Sequence, residues 1–276
     1  MTSIIVLVTG ANRGIGKGIL ELYLQKPNHT VIAATRDPSH PTSQALDDLP
    51  KAGNTELHII KIDATSSTDP TDAVNQLINK GIDHIDILIA NAGICLLWPR
   101  VSEVKIEDIK QHADVNIHGF IYLYQAFRDL LKKAKEPKWV TIGSSAAFFT
   151  VMSHKTSKGE IACCALKCHV SRSSVLKIFA SNFIPMRNAA YAPTKVVQHW
   201  YTKAISAEDE WLNAFPIDPG WVQTDIGNRG ADSFGTEKPT LTVEESAGGV
   251  VKVVDAATRE THSGKLFRYN GEEEPW

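Results

Sequence analysis

Short apolar runs recur along the chain, and polar or amphipathic stretches separate them. Residues 3–9 form the first run, whose β-branched side chains are typical of a buried parallel strand. We expect further strands at residues 30–35, 57–62, 85–90, 139–142, 214–217 and 265–268. Helical patterns lie between them, directly after the first strand and at residues 71–79, 104–134, 191–212 and 243–254. Strands that alternate with helices predict an α/β fold, a doubly wound parallel sheet with helices on both faces.

The composition is that of an ordinary globular protein, with 276 residues, 43% hydrophobic and 22% charged, and a formal net charge of −2. This charge favours neither nucleic acid nor an anionic membrane as a partner. No apolar run approaches the roughly 20 residues that span a bilayer, and the opening run is too short for a signal peptide. We therefore expect a single-domain cytoplasmic protein. Free thiols are also expected, since Cys95 stands alone and Cys163, Cys164 and Cys168 fit no zinc spacing.

The first apolar run leads directly into a glycine-rich turn, residues 10–16, and then into a helix. Glycines let the main chain approach a ligand closely, and the N–H groups of the following helix face its phosphates. A strand, a glycine turn and a helix in this order predict a Rossmann-type dinucleotide site. We expect the cofactor to contact Gly10, Asn12, Arg13, Gly14, Ile15 and Gly16.

The residue after the second strand bears on the choice between the two nicotinamide cofactors. Arg36 stands where an NAD-preferring protein usually has an acidic residue, and a basic side chain there accommodates the 2′-phosphate. Arg13 adds a second cation, so the pattern favours NADPH over NADH, although Asp37 follows at once. Asp63, after the third strand, is expected either to accept a hydrogen bond from the adenine amine or to cap the following segment through residues 66–67.

Tyr191 and Lys195 lie one turn apart on the same face of a predicted helix. A phenol with a pKa of about 10 is a poor proton donor or acceptor at neutral pH. A nearby ammonium favours the phenolate and brings the pKa of the phenol toward the working range. The pair therefore predicts an acid/base device, although the same spacing also occurs by chance on ordinary helix faces.

Five motifs occur along the chain in a fixed order. They are the glycine turn that begins at Thr9, the turn Asn91-Ala-Gly93, Asn116, Ser144 after the fifth strand, and Tyr191-x-x-x-Lys195. With them, the chain resembles the short-chain dehydrogenase/reductase superfamily over nearly its whole length. The segment Pro219-Gly-Trp-Val-Gln-Thr224 is similar to the family's loop around the nicotinamide. The longer segment Asp218-Pro-Gly-Trp-Val-Gln-Thr-Asp225, together with the ending Glu-Glu-Glu-Pro-Trp276, resembles fungal ketoreductases of the norsolorinic acid ketoreductase type.

The resemblance implies a role for each motif residue. Hydride passes from the nicotinamide to a carbonyl carbon, Tyr191 protonates the forming alkoxide, and Ser144 hydrogen-bonds the same oxygen, with Ser145 as the alternative. Lys195 lowers the pKa of Tyr191 and binds the nicotinamide ribose, while Asn116 holds a water that resupplies protons. Further cofactor contacts are implied at Asn91, Gly93, Val222 and Thr224. By family analogy, the two long helices pair in a homodimer or homotetramer.

One stretch departs from the family pattern. Ser144 and Tyr191 are 47 positions apart, whereas a much shorter stretch separates the family's serine and tyrosine. The excess lies at about residues 151–181 and carries five Lys or Arg against one acidic residue, Glu160. Long structureless loops in compact domains are functional or disordered. Three interpretations remain open: a lid over the substrate, a disordered surface loop, or a segment translated from an unremoved intron.

The sequence thus predicts an NADPH-dependent reductase of a fairly apolar ketone or aldehyde, such as an aromatic polyketide. Two alternatives remain. In the first, the insertion separates the serine from the tyrosine, and the protein binds nucleotide without turnover. In the second, the protein senses the nicotinamide ratio, although a sensor has no need of Asn116, Ser144, Tyr191 and Lys195 together. The residues after Thr224 are expected to form either a mobile substrate loop or a plain surface connection.

Overall fold

A computed structural model describes residues 3–147 and 187–275 of the chain. The strands are β1 (Ile4–Thr9), β2 (His29–Thr35), β3 (Glu56–Lys61), β4 (Ile87–Ala90), β5 (Lys138–Ile142), β6 (Asn213–Asp218), β7 (Leu266–Arg268) and β8 (Glu273–Glu274). The α-helices are α1 (Gly14–Leu24), α2 (Pro41–Gln44), α3 (Asp69–Asn79), α4 (Ile106–Ala113), α5 (Gly119–Lys132), α6 (Ala192–Glu208), α7 (Asp225–Phe234), α8 (Val243–Ala256) and α9 (Arg259–His262). A π-helical segment, Asp114–His118, joins α4 to α5, and a 3₁₀ turn, Ser145–Ala147, follows β5.

The strands form one sheet in the order β3-β2-β1-β4-β5-β6-β7-β8. The first seven pair in parallel, and β8 pairs with β7 in the antiparallel direction. The chain changes direction across the sheet between β1 and β4, and an open α/β sheet binds its ligand outside the carboxyl ends of the strands at such a point. The predicted doubly wound Rossmann-type fold is confirmed.

The two faces of the sheet bury two apolar clusters, and β1 contributes to both. Val6 and Val8 pack in the cluster that contains α1 and α8, whereas Ile5 and Leu7 pack in the cluster that contains α3 and α5. Side chains alternate between the faces of a strand, so one short apolar run supplies both layers. Each such side chain contributes about 1.5–3 kcal/mol when it is fully buried.

Three predicted elements differ from the structure. The helix expected at residues 104–134 is interrupted by the π-helical segment, and the helix expected at residues 191–212 ends at Glu208. The stretch after Thr224 is not a loop, because α7 begins there. Its glycines allow close packing: a Cβ on Gly227 would lie 2.0 Å from the carbonyl oxygen of Val222, and one on Gly230 would lie 3.3 Å from Trp98.

Four further sequence predictions concern membrane spans, metal binding, free thiols and the insertion. Within residues 3–147 and 187–275, no helix is both long and apolar enough to cross a membrane. The same residues contain no cluster of three or more His, Cys, Asp or Glu side chains that could hold a metal ion. Cys95 is a buried free thiol. The predicted insertion, with Cys163, Cys164 and Cys168, lies outside the described residues.

Candidate active site

The glycine turn between β1 and α1 has the geometry of a phosphate cradle. Gly10 and Gly14 have φ values of +62° and +53°, which side chains rarely adopt. A Cβ on Gly16 would lie 2.4 Å from the carbonyl oxygen of Gly10. Within the described residues, the Arg13 side chain does not cap α1, so the first N–H groups of the helix remain available to an anion. The turn therefore fits the pyrophosphate of a dinucleotide.

Asn91, after β4, holds this turn from the neighbouring strand. Its Nδ2 donates to the carbonyl oxygens of Thr9 and Gly10, at 2.8 and 3.3 Å. The Thr9 hydroxyl in turn accepts from the main-chain N–H groups of Asn91 and Ala92, both at 3.0 Å. The carboxyl ends of β1 and β4 are therefore fixed to each other at the point where the cofactor is expected.

The polar residues predicted for the adenine end, Arg13, Arg36 and Asp63, differ in their surroundings within the protein. Arg13 donates to Asp225 of α7 at 2.8 Å, with both side chains 68% exposed, whereas we expected it to join Arg36 as a cation for the 2′-phosphate. Arg36 itself is exposed after β2. Asp63 accepts from the N–H and the hydroxyl of Thr65, at 2.9 and 2.8 Å, and not from the side chains of residues 66–67.

Two further residues of the predicted cofactor set lie in or beside the glycine turn. Asn12 donates from Nδ2 to the hydroxyl of Thr42 at 2.7 Å. Ile15 is partly buried and packs against the apolar cluster of α1 and α8. These contacts fix the turn to the protein on both sides.

One face of α6 joins the helix to the carboxyl end of β5. Lys195 donates from Nζ to the carbonyl oxygen of Ile142 at 2.8 Å. Thr202 and Thr141 share a hydroxyl hydrogen bond of 2.7 Å. Between them, Nε2 of His199 accepts from the N–H of Ser144 at 3.4 Å. The helix and the strand end are therefore held in a defined register by polar contacts.

This register brings Ser144 to Tyr191 despite the 47 positions between them. The Ser144 hydroxyl lies close enough to the Tyr191 phenol to influence its pKa, and it accepts from the N–H of Ala146 at 3.1 Å. Ser145 makes a different contact, because its N–H donates to Asp218 at 3.1 Å. Of the two serines considered from the sequence, Ser144 is the one that contacts Tyr191.

Asn116 is fully buried in the π-helical segment, although an asparagine in a helix usually faces solvent. Its Oδ1 accepts from the N–H of Ile94 at 2.8 Å, and its Nδ2 donates to the Ile94 carbonyl at 2.9 Å and to Thr194 at 3.0 Å. The main-chain carbonyl of Asn116 accepts from Gln198 at 2.6 Å. The local change of helical pitch turns Asn116 inward, as such segments often do at functional sites.

Burial controls the ionisation of the central pair. It lowers the pKa of Lys195, which is 4% exposed, to about 8. It also raises the pKa of Tyr191 well above its ordinary value, and the neighbouring Ser144 hydroxyl opposes this rise. The Nζ of Lys195 lies 5.8 Å from the ring centroid of Tyr191. Burial of the phenol is therefore the largest influence on the Tyr191 pKa.

A cleft of ≈ 470 Å³ opens between the loop after β4 and α7. Its lining residues are Arg13, Gly93, Ile94, Leu96, Asp225, Ile226, Asn228, Arg229 and Asp232. Gly93 lies between the cleft and the buried side chains of Asn116 and Lys195. A Cβ on Gly93 would lie 3.3 Å from Asn116 and 3.7 Å from Lys195. The cleft therefore borders the glycine turn on one side and the buried Asn116 and Lys195 on the other.

The segment after β6 holds α7 against this cleft. Val222 is buried and pairs with Leu241 in an isolated bridge. Thr224 caps α7 by accepting from the N–H of Gly227 at 3.2 Å, and its methyl lies 3.3 Å from where a Cβ on Gly14 would be. Thr224 thus lies beside the glycine turn, and Val222 lies directly behind α7. Both residues belong to the set predicted to contact the cofactor.

Sequence reasoning missed five polar residues that complete the site. Four of them, Thr194, Gln198, His199 and Thr202, lie on α6 at spacings of three or four from Tyr191, Lys195 or one another, so the helical period could have found them. The fifth, Asp218, precedes the Pro-Gly turn, and only its burial distinguishes it.

A doubly wound sheet with a glycine cradle at its carboxyl edge, and with Ser144, Tyr191 and buried Lys195 beside it, defines a nicotinamide-dependent oxidoreductase. A model of the short chain dehydrogenase family matches residues 4–161. The chain belongs to this family. The predicted family and enzyme class are therefore confirmed.

Individual proteins support the assignment. The short-chain dehydrogenase srdF of Neurospora crassa is 36% identical, and the match covers 99% of this chain and 98% of that protein. The norsolorinic acid ketoreductase nor1 of Dothistroma septosporum is 35% identical over 98% of this chain and 91% of its own. Among solved structures, NADPH-bound carbonyl reductase from chicken fatty liver is similar over the full length of both chains, with 25% identity and a TM-score of 0.75.

Proposed function

We propose that the protein is an NADPH-dependent carbonyl reductase that converts a ketone or aldehyde into an alcohol. The observation that carries the proposal is that Ser144 lies beside Tyr191, with buried Lys195 one turn further along the chain. A hydroxyl and a phenol that lie side by side can share one substrate oxygen.

The residues that would hold the cofactor fall into three groups along the carboxyl edge of the sheet. The glycine turn would bind the pyrophosphate, Arg36 the 2′-phosphate and Asp63 the adenine amine. The nicotinamide and its ribose would lie against Asn91, Gly93, Tyr191, Lys195, Val222 and Thr224. When bound, the nicotinamide supplies a hydride to the carbonyl carbon of the substrate.

The protein's own groups move the proton. The raised pKa of Tyr191 keeps the phenol protonated at neutral pH, so it donates its proton to the carbonyl oxygen as negative charge develops there. Ser144 donates a hydrogen bond to the same oxygen. Lys195, which is mostly charged at pH 7 with a pKa of about 8, stabilises the phenolate that remains. Asn116 would hold the water through which a proton returns to Tyr191.

The preference for NADPH rests on the positive charge of Arg36 and on the hydrogen bonds that engage the carboxylate of the adjacent Asp37. Asp37 accepts from both the N–H and the hydroxyl of Ser39, at 2.9 and 2.6 Å, and these bonds lower the pKa of its carboxyl. A carboxylate engaged in this local turn competes poorly for a ribose hydroxyl. The chicken carbonyl reductase with the similar fold is itself an NADPH complex.

We further propose an apolar aromatic ketone, such as an aromatic polyketide, as the substrate. Ile94, Leu96 and Ile226 supply an apolar lining to the cleft, and the rings of Trp98 and Phe234 meet edge to face nearby, with centroids 6.1 Å apart. The norsolorinic acid ketoreductases among the relatives support this substrate class by their names.

The decisive experiment compares Tyr191→Phe with Tyr122→Phe, a partly buried tyrosine of α5. NADPH oxidation with a panel of aromatic and aliphatic ketones should fall at least about 10³-fold in Tyr191→Phe, because the proton donor is lost. NADPH affinity should stay within a few-fold, and Tyr122→Phe should resemble the wild type. Turnover at the wild-type rate in Tyr191→Phe would contradict the proposal that Tyr191 is the proton donor.

Substrate class is tested with Trp98→Ala against Trp200→Ala, whose indole is 65% exposed on α6. We expect Trp98→Ala to lower kcat/KM about 10-fold for polycyclic aromatic ketones and far less for small aliphatic ones. Equal losses for both classes of ketone would remove the aromatic assignment. Trp200→Ala should change neither value.

We propose that the protein is a single domain and that its fold tolerates the segment at residues 151–181. Deleting that segment should leave NADPH oxidation within a few-fold of the full chain, because Ser144 and Tyr191 already meet in the full chain. Activity in the deletion alone would indicate a segment that the working enzyme lacks. The same contact argues against the two alternatives without turnover. The homodimer or homotetramer stays a prediction, for light scattering to test.

A further inference from the structure

A buried carboxylate lies directly behind the Ser144 turn, and the mechanism above does not use it. Asp218 is the last residue of β6 and is 4% exposed. Its Oδ1 accepts from the N–H of Ser145 at 3.1 Å and from the N–H of Gly220 at 3.3 Å. One oxygen atom therefore joins two turns that come from neighbouring strands, β5 and β6.

Both turns border the reaction centre. Ser145 follows Ser144, whose hydroxyl contacts Tyr191, so any movement of the Ser145 main chain moves the Ser144 side chain as well. Gly220 has a φ of +78° and begins the segment that leads through Val222 to α7. Main-chain hydrogen bonds to a buried carboxylate are strong because the acceptor is charged and the surroundings have a low dielectric constant.

We propose that Asp218 is a positioning residue that fastens the turn at residues 144–145 to the turn at residues 219–220 and so holds Ser144 against Tyr191. This inference rests on the proposed function, in which Ser144 and Tyr191 act on one substrate oxygen.

The C-terminal strand supplies the charge environment of this carboxylate. Arg268 of β7 is the register partner of Asp218, and its Nε lies 2.5 Å from Oε1 of Glu274 in β8. The side chains of Arg268 and Glu274 are 14% and 8% exposed. Burial raises the pKa of Asp218, whereas the bonds from Ser145 and Gly220 and the nearby Arg268 oppose that rise. One buried cation is thus shared between two carboxylates.

The arrangement has a consequence for the proton on Tyr191. The groups that face Asp218 are Ser145, Tyr191 at the N-cap of α6, Arg268 on β7 and Glu274 on β8. The negative charge of Asp218 disfavours a phenolate at Tyr191. Asp218 therefore helps to keep the phenol protonated, which is the form that donates in carbonyl reduction.

The test compares Asp218→Asn and Asp218→Ala with Asp209→Asn as the matched control. Asp209 is also buried, 5% exposed, and accepts from Arg128 at 2.8 Å and Trp211 at 3.1 Å beyond the far end of α6. Asp218→Ala should lower kcat for ketone reduction about 10- to 100-fold with a smaller change in KM, because the serine turn loses its anchor. Asp218→Asn keeps an acceptor oxygen and should lose less.

A charge effect gives a second readout. In Asp218→Asn, the pH at which alcohol oxidation reaches half of its maximum should move about 0.5 unit or more toward lower pH, because the phenol ionises more easily. Asp209→Asn should lower thermal stability without this shift. An unchanged pH profile in Asp218→Asn, together with kcat in Asp218→Ala within two-fold of the control, would overturn the proposal.

Hydrogen exchange keeps the proposal testable without turnover. Main-chain exchange at residues 143–147 should accelerate at least about 10-fold in Asp218→Ala and not in Asp209→Asn, because two anchoring bonds are lost. If the wild type reduces no ketone in the panel yet exchange accelerates as expected, the proposed function fails and the positioning role stands. Turnover in the wild type with unchanged exchange in Asp218→Ala contradicts the positioning role alone.

Discussion

Lys195 donates from Nζ to the carbonyl oxygen of Ile142 at 2.8 Å, which places an ammonium group 4% exposed at the carboxyl end of β5. A buried ammonium with few hydrogen bonds destabilises the fold, because its charge has left water. Proteins keep such a group where it serves the chemistry. The relationship between Lys195 and Ile142 therefore marks a site where stability is given up for function.

Replacing this lysine should stabilise the protein while it abolishes activity. Burial lowers the Lys195 pKa from 10.5 to about 8, so the unfolded chain binds the proton more tightly, and stability rises as pH increases through that window. Below pH 8 the ammonium costs up to about 3 kcal/mol. Lys195→Met should raise Tm at pH 7 by several degrees, with a smaller gain near pH 10. A lower Tm at pH 7 would contradict this account.

Cofactor preference should depend on one exposed arginine. Arg36→Ala should raise the KM for NADPH at least about 10-fold and leave the KM for NADH within two-fold, because only NADPH carries the 2′-phosphate. Arg100→Ala is the matched control, since Arg100 is an exposed cation whose side chain pairs with Glu103. Steady-state kinetics with both cofactors measures the effect, and equal losses would remove the NADPH assignment.

Two glycine-to-alanine variants should affect different properties, one lowering the affinity for NADPH and the other raising the stability of the fold. In Gly16→Ala the added Cβ would lie 2.4 Å from Gly10 O and from Asn91 Nδ2, so the cradle must distort and NADPH affinity should fall at least about 10-fold. In the described part of the chain, no atom lies within 4 Å of a Cβ on Gly248, in α8. Gly248→Ala should raise stability by up to about 1 kcal/mol with unchanged affinity. Cofactor titration and thermal unfolding of both variants provide the comparison.

Gly143 and His199 should be energetically coupled. A Cβ on Gly143 would lie 2.3 Å from Nε2 of His199. Gly143→Ala should therefore lower stability by about 1–3 kcal/mol, and the loss should be smaller when His199→Ala is already present. A double-mutant cycle with urea unfolding measures the coupling. Additive losses would show that the histidine moves aside without strain.

His199 should also contribute to acid sensitivity. Burial lowers its pKa to about 3, so the unfolded chain binds the proton first, and stability falls as pH drops from about 6.5 toward 3. His199→Asn, which does not titrate, should flatten the dependence of Tm on pH within that window. An equally steep dependence in both proteins would assign the acid sensitivity to other groups.

Patterns within single elements of the sequence were sufficient to predict the strands of the sheet and part of the active site. The apolar run of β1, the glycine turn and the four-residue spacing of Tyr191 and Lys195 each reflect the period or the steric need of one element. The same rules misled at α7, where glycines suggested a loop. There each glycine lies against a neighbour, such as Trp98 beside Gly230, and a neighbour from elsewhere in the chain cannot be read from the element itself.

By itself, the sequence determined the doubly wound fold, the family and the identity of the motif residues, because these depend on short-range patterns. Only the tertiary structure decided which groups meet and which are buried. It brings Ser144 to Tyr191 across 47 positions, turns Asn116 inward, and encloses Asp218 behind the serine turn. The tertiary structure also decides the ionisation of the site, because the pKa values of Tyr191 and Lys195 depend on the loss of water around them. Burial of this kind is a property of the whole fold.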